Sequence, residues 1–224
     1  MTSPADPVSL TAAADAARTG DLWLFRGSSG ADRAIRLVTN APVNHVGMAV
    51  VLDDLPPLMW HAELGKSLVD LWTGSHHRGA QLHDLVDAVT RWSSVYGQQV
   101  WVRQLHPEVG SEQDDAFLRT MARWNGTSFP STASLAWRWL QGRRPRHLRR
   151  RPRADLTHPE ATHPAAAYCA EIVAVTYEQM GILEPGRDSS WYDPGRFWSG
   201  DVLPLRDGWS FGPEVAVDAP APCP

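Results

Sequence analysis

Asn44-His45-Val46-Gly47-Met48-Ala49-Val50-Val51-Leu52, followed by Leu58-Met59-Trp60-His61-Ala62-Glu63, is the stretch whose reading decides the fold. The apolar run from His45 to Leu52 reads as the strongest strand of the chain. Asp53-Asp54 and Pro56-Pro57 supply turn residues, and Leu58 to Glu63 returns as a second strand. The expected unit is an antiparallel hairpin with one histidine on each arm. Side chains on paired strands face one another, so two imidazoles are easily brought to one face.

Outward from this hairpin the pattern is α+β. Upstream, Gly20-Asp21 opens a buried strand at Leu22–Arg26. Ser28-Ser29-Gly30 offers a turn and N-cap for a helix carrying Ala31, Ala34, Ile35 and Val38, broken at Asn40-Ala41-Pro42. Residues 1–19 read as a lead-in with a short helix around Leu10–Arg18. Downstream, Leu82 to Trp92 reads as a helix with Leu82, Leu85, Val86 and Val89 on one face, and Gln99–Leu105 as a strand. Ser111 to Asn125 follows as a helix, with a Ser111/Asp114 capping box and a stripe of Phe117, Leu118, Met121 and Trp124. A short helix is expected at Ser131–Leu140, and an exposed Arg-, Pro- and His-rich insertion at 142–164. A helix containing Cys169 runs to about Met180 and stops at Gly181. Phe211–Val217 adds an edge strand before a Pro-rich tail at 218–224. Strands cluster in the first half and helices in the second, which favours one α+β domain over 20–217 rather than βαβ alternation.

The 224 residues suit a single domain, and a hydrophobic fraction of 43% suits a substantial core. A net charge of −4 gives no nucleic-acid signature, so no nucleic-acid partner is expected. The exception is local: seven arginines crowd Arg143–Arg153, a stretch suited to a solvated loop or to docking on anionic lipid or an acidic partner. The 11 tryptophans suit core and groove walls. Two cysteines, Cys169 and Cys223, make no disulfide framework. The N-terminal residues show neither a basic start nor an apolar run, so a cytoplasmic location is the expectation.

The chemistry centres on Cys169. A thiol is a strong nucleophile only as the thiolate, and a helix N-terminus or a neighbouring imidazolium lowers its pKa. His45 is the candidate base. His61 is the candidate third member that orients it, with Glu63, of the same strand parity, as the fallback. Free N–H groups at a helix start would also stabilise an oxyanion. Local rules leave the start of that helix open, because Pro164 at N1 followed by Ala165-Ala166-Ala167 would bury Cys169 in the second turn.

Gly20-Asp21-Leu22-Trp23-Leu24-Phe25-Arg26-Gly27, then Asn44-His45-Val46-Gly47, then Tyr168-Cys169-Ala170-Glu171-Ile172-Val173 resemble the circularly permuted branch of the NlpC-type papain-like thiol enzymes. That branch includes the YiiX-like proteins and is related to the lecithin:retinol acyltransferase group. Trp124-Asn125-Gly126-Thr127-Ser128-Phe129 is similar to the family's segment before the cysteine helix. The resemblance covers roughly residues 20–200 and implies a small antiparallel sheet packed on helices. Cys169 would be the nucleophile, His45 the base and His61 the third polar residue. YiiX-like members often have Glu at that third position and acyltransferase-type members His. Asp21, Trp23, Tyr168 and Glu63 are the candidate substrate-binding residues.

The expectation is therefore a cysteine-dependent hydrolase or acyltransferase acting on an amide, ester or thioester through an acyl-thioester, with no metal or organic cofactor. The substrate would be a peptide, an amide or a lipid acyl group. A non-catalytic binding module that uses the groove and the Arg-rich loop is the alternative. Zinc on His45, His61 and Cys169 is a further one. His76, His77 and His83 are expected to be solvated, at a loop and a helix start.

Overall fold

The fold is taken from a computed structural model that describes residues 6–63, 68–125 and 169–221. The expected Ser131–Leu140 helix, the Arg143–Arg153 insertion, Tyr168, Cys223 and the residues that would decide where the Cys169 helix begins lie outside the described residues.

In chain order the elements are β1 (Val8–Ser9), α1 (Leu10–Asp15), β2 (Leu22–Arg26), α2 (Gly30–Thr39), β3 (His45–Val50), β4 (Leu58–Glu63), β5 (Gly79–Asp84) and α3 (Leu85–Tyr96). After these come β6 (Gln99–Arg103), β7 (Leu105–His106), α4 (Ser111–Trp124), α5 (Cys169–Gln179), β8 (Ser210–Phe211) and β9 (Val215–Asp218). The expected hairpin is present, and β3 and β4 pair antiparallel with Met48 opposite Trp60.

The sheet is larger than the small one expected. Seven strands run in the order β1-β9-β6-β2-β3-β4-β5, and all pairs are antiparallel except β1 with β9. The lead-in is part of this sheet: Val8 and Ser9 pair with Val217 and Asp218. That places β9 inside the sheet, between β1 and β6, and not at its edge.

One helix boundary is corrected. Residues 82–84 belong to strand β5, and the helix begins only at Leu85, where the Asp84 carboxylate accepts the Asp87 N–H at 2.8 Å. Leu82 sits at helical spacing from Leu85 but faces away from α3, into the core beneath α4 and α5. Asp84 is an N-cap, and a cap ends the strand as firmly as it starts the helix. Elsewhere the caps are as local rules ask. Ser29 and Asp32 form a reciprocal box on α2, and Gln113 reaches back to the Gly110 N–H at the start of α4. The latter displaces the expected Ser111/Asp114 pair by one position.

The sheet carries a layer on each face. On one face Leu22, Leu24, Val46, Met48, Val50, Trp60 and Leu82 pack under α4 and α5. On the other, Trp23, Phe25, Ala49, Met59, Val100 and Val102 pack against α1 and α3. Helix α5 is buried at every position from Cys169 to Tyr177 and lies on β3 and β4. Trp60 Nε1 donates to Thr176 Oγ1 at 3.1 Å, fixing the helix over β4.

Candidate active site

Strand parity assembles the imidazoles. Met48 faces Trp60, so His45 and Gly47 on β3 share a face with Met59 and His61 on β4. On β5, Gln81 pairs with His61 and His83 with Met59, which brings His83 to the same face diagonally from His61. His45 Nε2 lies 3.2 Å from His61 Nδ1, and His61 Nε2 lies 2.8 Å from His83 Nδ1. The result is a chain of three rings across three adjacent strands. His83 is therefore not solvated as expected, but 1% exposed, although β5 is an edge strand of the sheet. The signal for it was the alternation His61, His83 against the apolar Trp60 and Leu82. Leu82 masks it, because it stands at helical spacing from Leu85 and Val89 across the Asp84 cap.

Aromatic rings wall the chain. Trp92 of α3 sits edge-on to His45 and His61 at ring-centroid distances of 5.1 and 4.7 Å, and Phe25 lies 5.6 Å from His45. Gly47 leaves room for the Met59 side chain: a Cβ there would stand 2.8 Å from Met59 Sδ and 3.4 Å from His61 Cβ. The backbone entering β3 is pinned by Asn44, whose Oδ1 accepts the Gly27 N–H at 2.6 Å and whose Nδ2 donates to Asp32 at 3.0 Å.

Cys169 approaches from the opposite layer. Ala49 N–H donates to Asp21 O, just ahead of β2, so alternation turns the Val46 N–H toward β4. The β3–β4 ladder runs only from Met48 to Val50, and the Val46 N–H meets the Cys169 sulfur instead. The N–H groups of Ala170 and of Cys169 itself also favour a charge on the sulfur. Thus Cys169 rests against the backbone of the residue next to His45, while the two side chains belong to opposite layers. No hydrogen bond joins Cys169 to His45 among the described residues.

Burial dominates the electrostatics. It pushes the Cys169 thiol up to about 12, although three N–H groups pull the other way. It pushes His45 down to about 4. His61 lies well below its usual value through burial and the neighbouring His83 and His45. His83 falls to about 4 through burial, opposed by the charge of Asp70 and assisted by His77 and His76. Burial would raise Asp70 too, but hydrogen bonds from Leu82 N–H, Thr73 and Asn125 outweigh it and hold the carboxyl at about 2. The expected lowering of the thiol pKa is not what this environment produces. A resting thiolate–imidazolium pair would lie roughly 10 kcal/mol above the neutral pair before their mutual attraction.

The other candidates have definite places. Asp21 is fully buried and its carboxylate accepts the N–H groups of Arg18 at 3.0 Å and Leu105 at 2.8 Å, at the end of β2 remote from His45. Trp23 is fully buried within the α3 layer. Glu63 is half-buried at the end of β4 and pairs with Gly79; its carbonyl accepts from Gln81 Nε2 at 3.3 Å. Among the described residues no three or more His, Cys, Asp or Glu side chains are grouped to hold a metal ion, so the set weighed for zinc is not assembled there. No helix of the described residues is long and apolar enough to cross a membrane.

No protein-family model matches the chain, and no curated protein matches it. Among solved structures, the chain is similar to the metalloprotein YiiX of Escherichia coli O157:H7, with a TM-score of 0.45 and 17% identity. The match covers 73% of this chain and 66% of that one, slightly under two thirds of its length.

Proposed function

We propose that the protein is a cysteine-dependent hydrolase or acyltransferase of the permuted papain-like type, with Cys169 as nucleophile, His45 as base and His61 as the residue that orients it. The observation that carries this reading is the position of the Cys169 sulfur on the Val46 N–H, one residue from an imidazole whose Nε2 is already engaged by His61. That engagement leaves Nδ1 of His45 for the thiol proton. The neutral resting pair implies general-base attack, in which the proton leaves sulfur as the S–C bond forms. The N–H groups of Val46, Ala170 and Cys169 would then disperse charge developing on sulfur. A carbonyl of an amide, ester or thioester is attacked, the leaving group departs with a proton, and water or an acceptor amine releases the acyl group.

The high thiol pKa and the division of the two side chains between layers favour a second reading, a non-catalytic module of the same fold with an inert Cys169. Incubation with an activated acyl ester and intact-mass analysis separates the two. The enzyme reading expects a single acyl adduct mapping to Cys169, absent in Cys169→Ala and formed about 10²-fold or more slowly in His45→Ala. Wild-type protein that takes up no acyl group at Cys169, or does so equally in His45→Ala, overturns it.

A further inference from the structure

The two nitrogen–nitrogen contacts of the histidine chain restrict each other. Each needs one proton between its two nitrogens, because two lone pairs repel and two N–H groups clash. A neutral His61 carries one proton only. If that proton is on Nδ1, it faces His45 Nε2, and His83 must donate from Nδ1. If it is on Nε2, it faces His83 Nδ1, and His45 must donate from Nε2. Either way all three rings adopt the same tautomer, and the far end of the chain sets the near end.

We propose that His45, His61 and His83 form one tautomer relay in which all three carry the proton on Nε2, and that His83 is a positioning residue that keeps Nδ1 of His45 free. Asp70 supplies the bias. Its carboxylate is buried, is held by Leu82 N–H at 2.7 Å and by Thr73, and acts electrostatically on His83 at the end of the chain. An anion there draws the protons of the chain toward His83 and away from Nδ1 of His45. His83 Nε2 is buried without a hydrogen-bond partner among the described residues, so no donor there fixes the opposite tautomer and no acceptor fixes this one, which leaves the charge of Asp70 to set the direction. Removing the acceptor at His83 Nδ1 reverses the chain. The His61 proton then moves to Nδ1 and His45 Nε2 becomes an acceptor. The His45 proton goes to Nδ1, where it blocks the thiol. The relay stands on the ring geometry; only its consequence for Cys169 rests on the proposed function.

Long-range proton–nitrogen correlation spectra of ¹⁵N-histidine-labelled protein at pH 7.5 test this. Wild type is expected to show Nε2–H and bare Nδ1 on His45, His61 and His83 alike. A mixed pattern, a uniform Nδ1–H pattern or a doubly protonated ring overturns the relay without any variant being needed. His83→Phe is expected to switch His45 to Nδ1–H, and His83→Gln, whose amide oxygen can accept from His61, to preserve Nε2–H. An unchanged His45 in His83→Phe overturns the proposal. Acylation of Cys169 in His83→Phe should fall about 10²-fold or more, the scale of a base held in the wrong tautomer, and recover in His83→Gln. A His45 switch with no change in acylation upholds the relay and removes the thiol–imidazole reading instead.

Discussion

His61 lies closer to His83 than to His45: the contact is 2.8 Å at the buried end of the chain and 3.2 Å at the half-buried end. The tighter contact is therefore the one made to β5, at the edge of the sheet. His61 is the only ring with both nitrogens engaged by its neighbours, so both contacts depend on it. Replacing His61 with Ala opens a cavity beside Trp92 and strands a nitrogen on each neighbour. The expected loss is about 2–4 kcal/mol in urea unfolding, with reduced acylation of Cys169. A loss under about 0.5 kcal/mol would show that the ring is not packed as described.

Acid should destabilise the fold well above the carboxylate range. His45 and His83 bind protons near pH 4 when folded, below the ordinary value of 6.5. The unfolded chain therefore takes up protons first as pH falls below about 6.5. Stability is fully present above that pH and is lost progressively toward pH 4. Each imidazole accounts for about 2 kcal/mol between pH 7 and pH 5. Unfolding free energies measured at the two pH values should differ accordingly, and the difference should shrink in His83→Gln.

Gly47→Ala inserts a methyl group against Met59 Sδ, and Met59 is itself fully buried. Overpacking of this kind costs about 1–3 kcal/mol. His61 Cβ, at 3.4 Å, is the nearest atom outside Met59, so the histidine nitrogen resonances should shift together with the fall in Tm. Unperturbed resonances would show that Met59 alone absorbs the strain.

Asp21→Ala should lower stability without changing the rate of Cys169 acylation per folded molecule. Its carboxylate holds the N–H groups of Arg18 and Leu105, and a buried donor left unsatisfied costs about 1–3 kcal/mol. An acylation rate that fell while the fold held would restore Asp21 as a substrate-binding residue.

Alkylation of Cys169 by iodoacetamide should rise steadily with pH from 7 to 10, with no plateau near neutrality, because burial holds the thiol at about 12. The sign follows from the raised value: the thiol stays protonated until pH climbs through that range. A flat, fast rate near pH 6 to 7 would reveal a resting ion pair and replace general-base attack with a preformed thiolate.

The hairpin was legible in the sequence because its signals are local. His45–Val50 is apolar, Pro56-Pro57 turns the chain, and Leu58–Glu63 returns with the parity that aligns His61 with His45. The helix cap at Ser29 and the stripe of α4 were legible for the same reason. His83 was not, because Leu82, Leu85 and Val89 mimic a helical face across a strand-to-helix junction that the Asp84 cap decides. The place of β9 was not either, since nothing local to Val215–Asp218 states that β1 will cover its outer edge.

By itself the sequence determined the β3–β4 hairpin, the strand at Leu22–Arg26, most helix limits, and the residue types of the proposed thiol–imidazole site. Periodicity and capping are properties of neighbours in the chain. Only the tertiary structure decided that His83 completes a three-ring chain, that Asp21 serves the backbone, and that Cys169 and His45 come from opposite layers. Those outcomes depend on strand order, register and burial, which arise between segments far apart in sequence. Burial also sets the charge of the thiol and of the rings, and no residue carries that information alone.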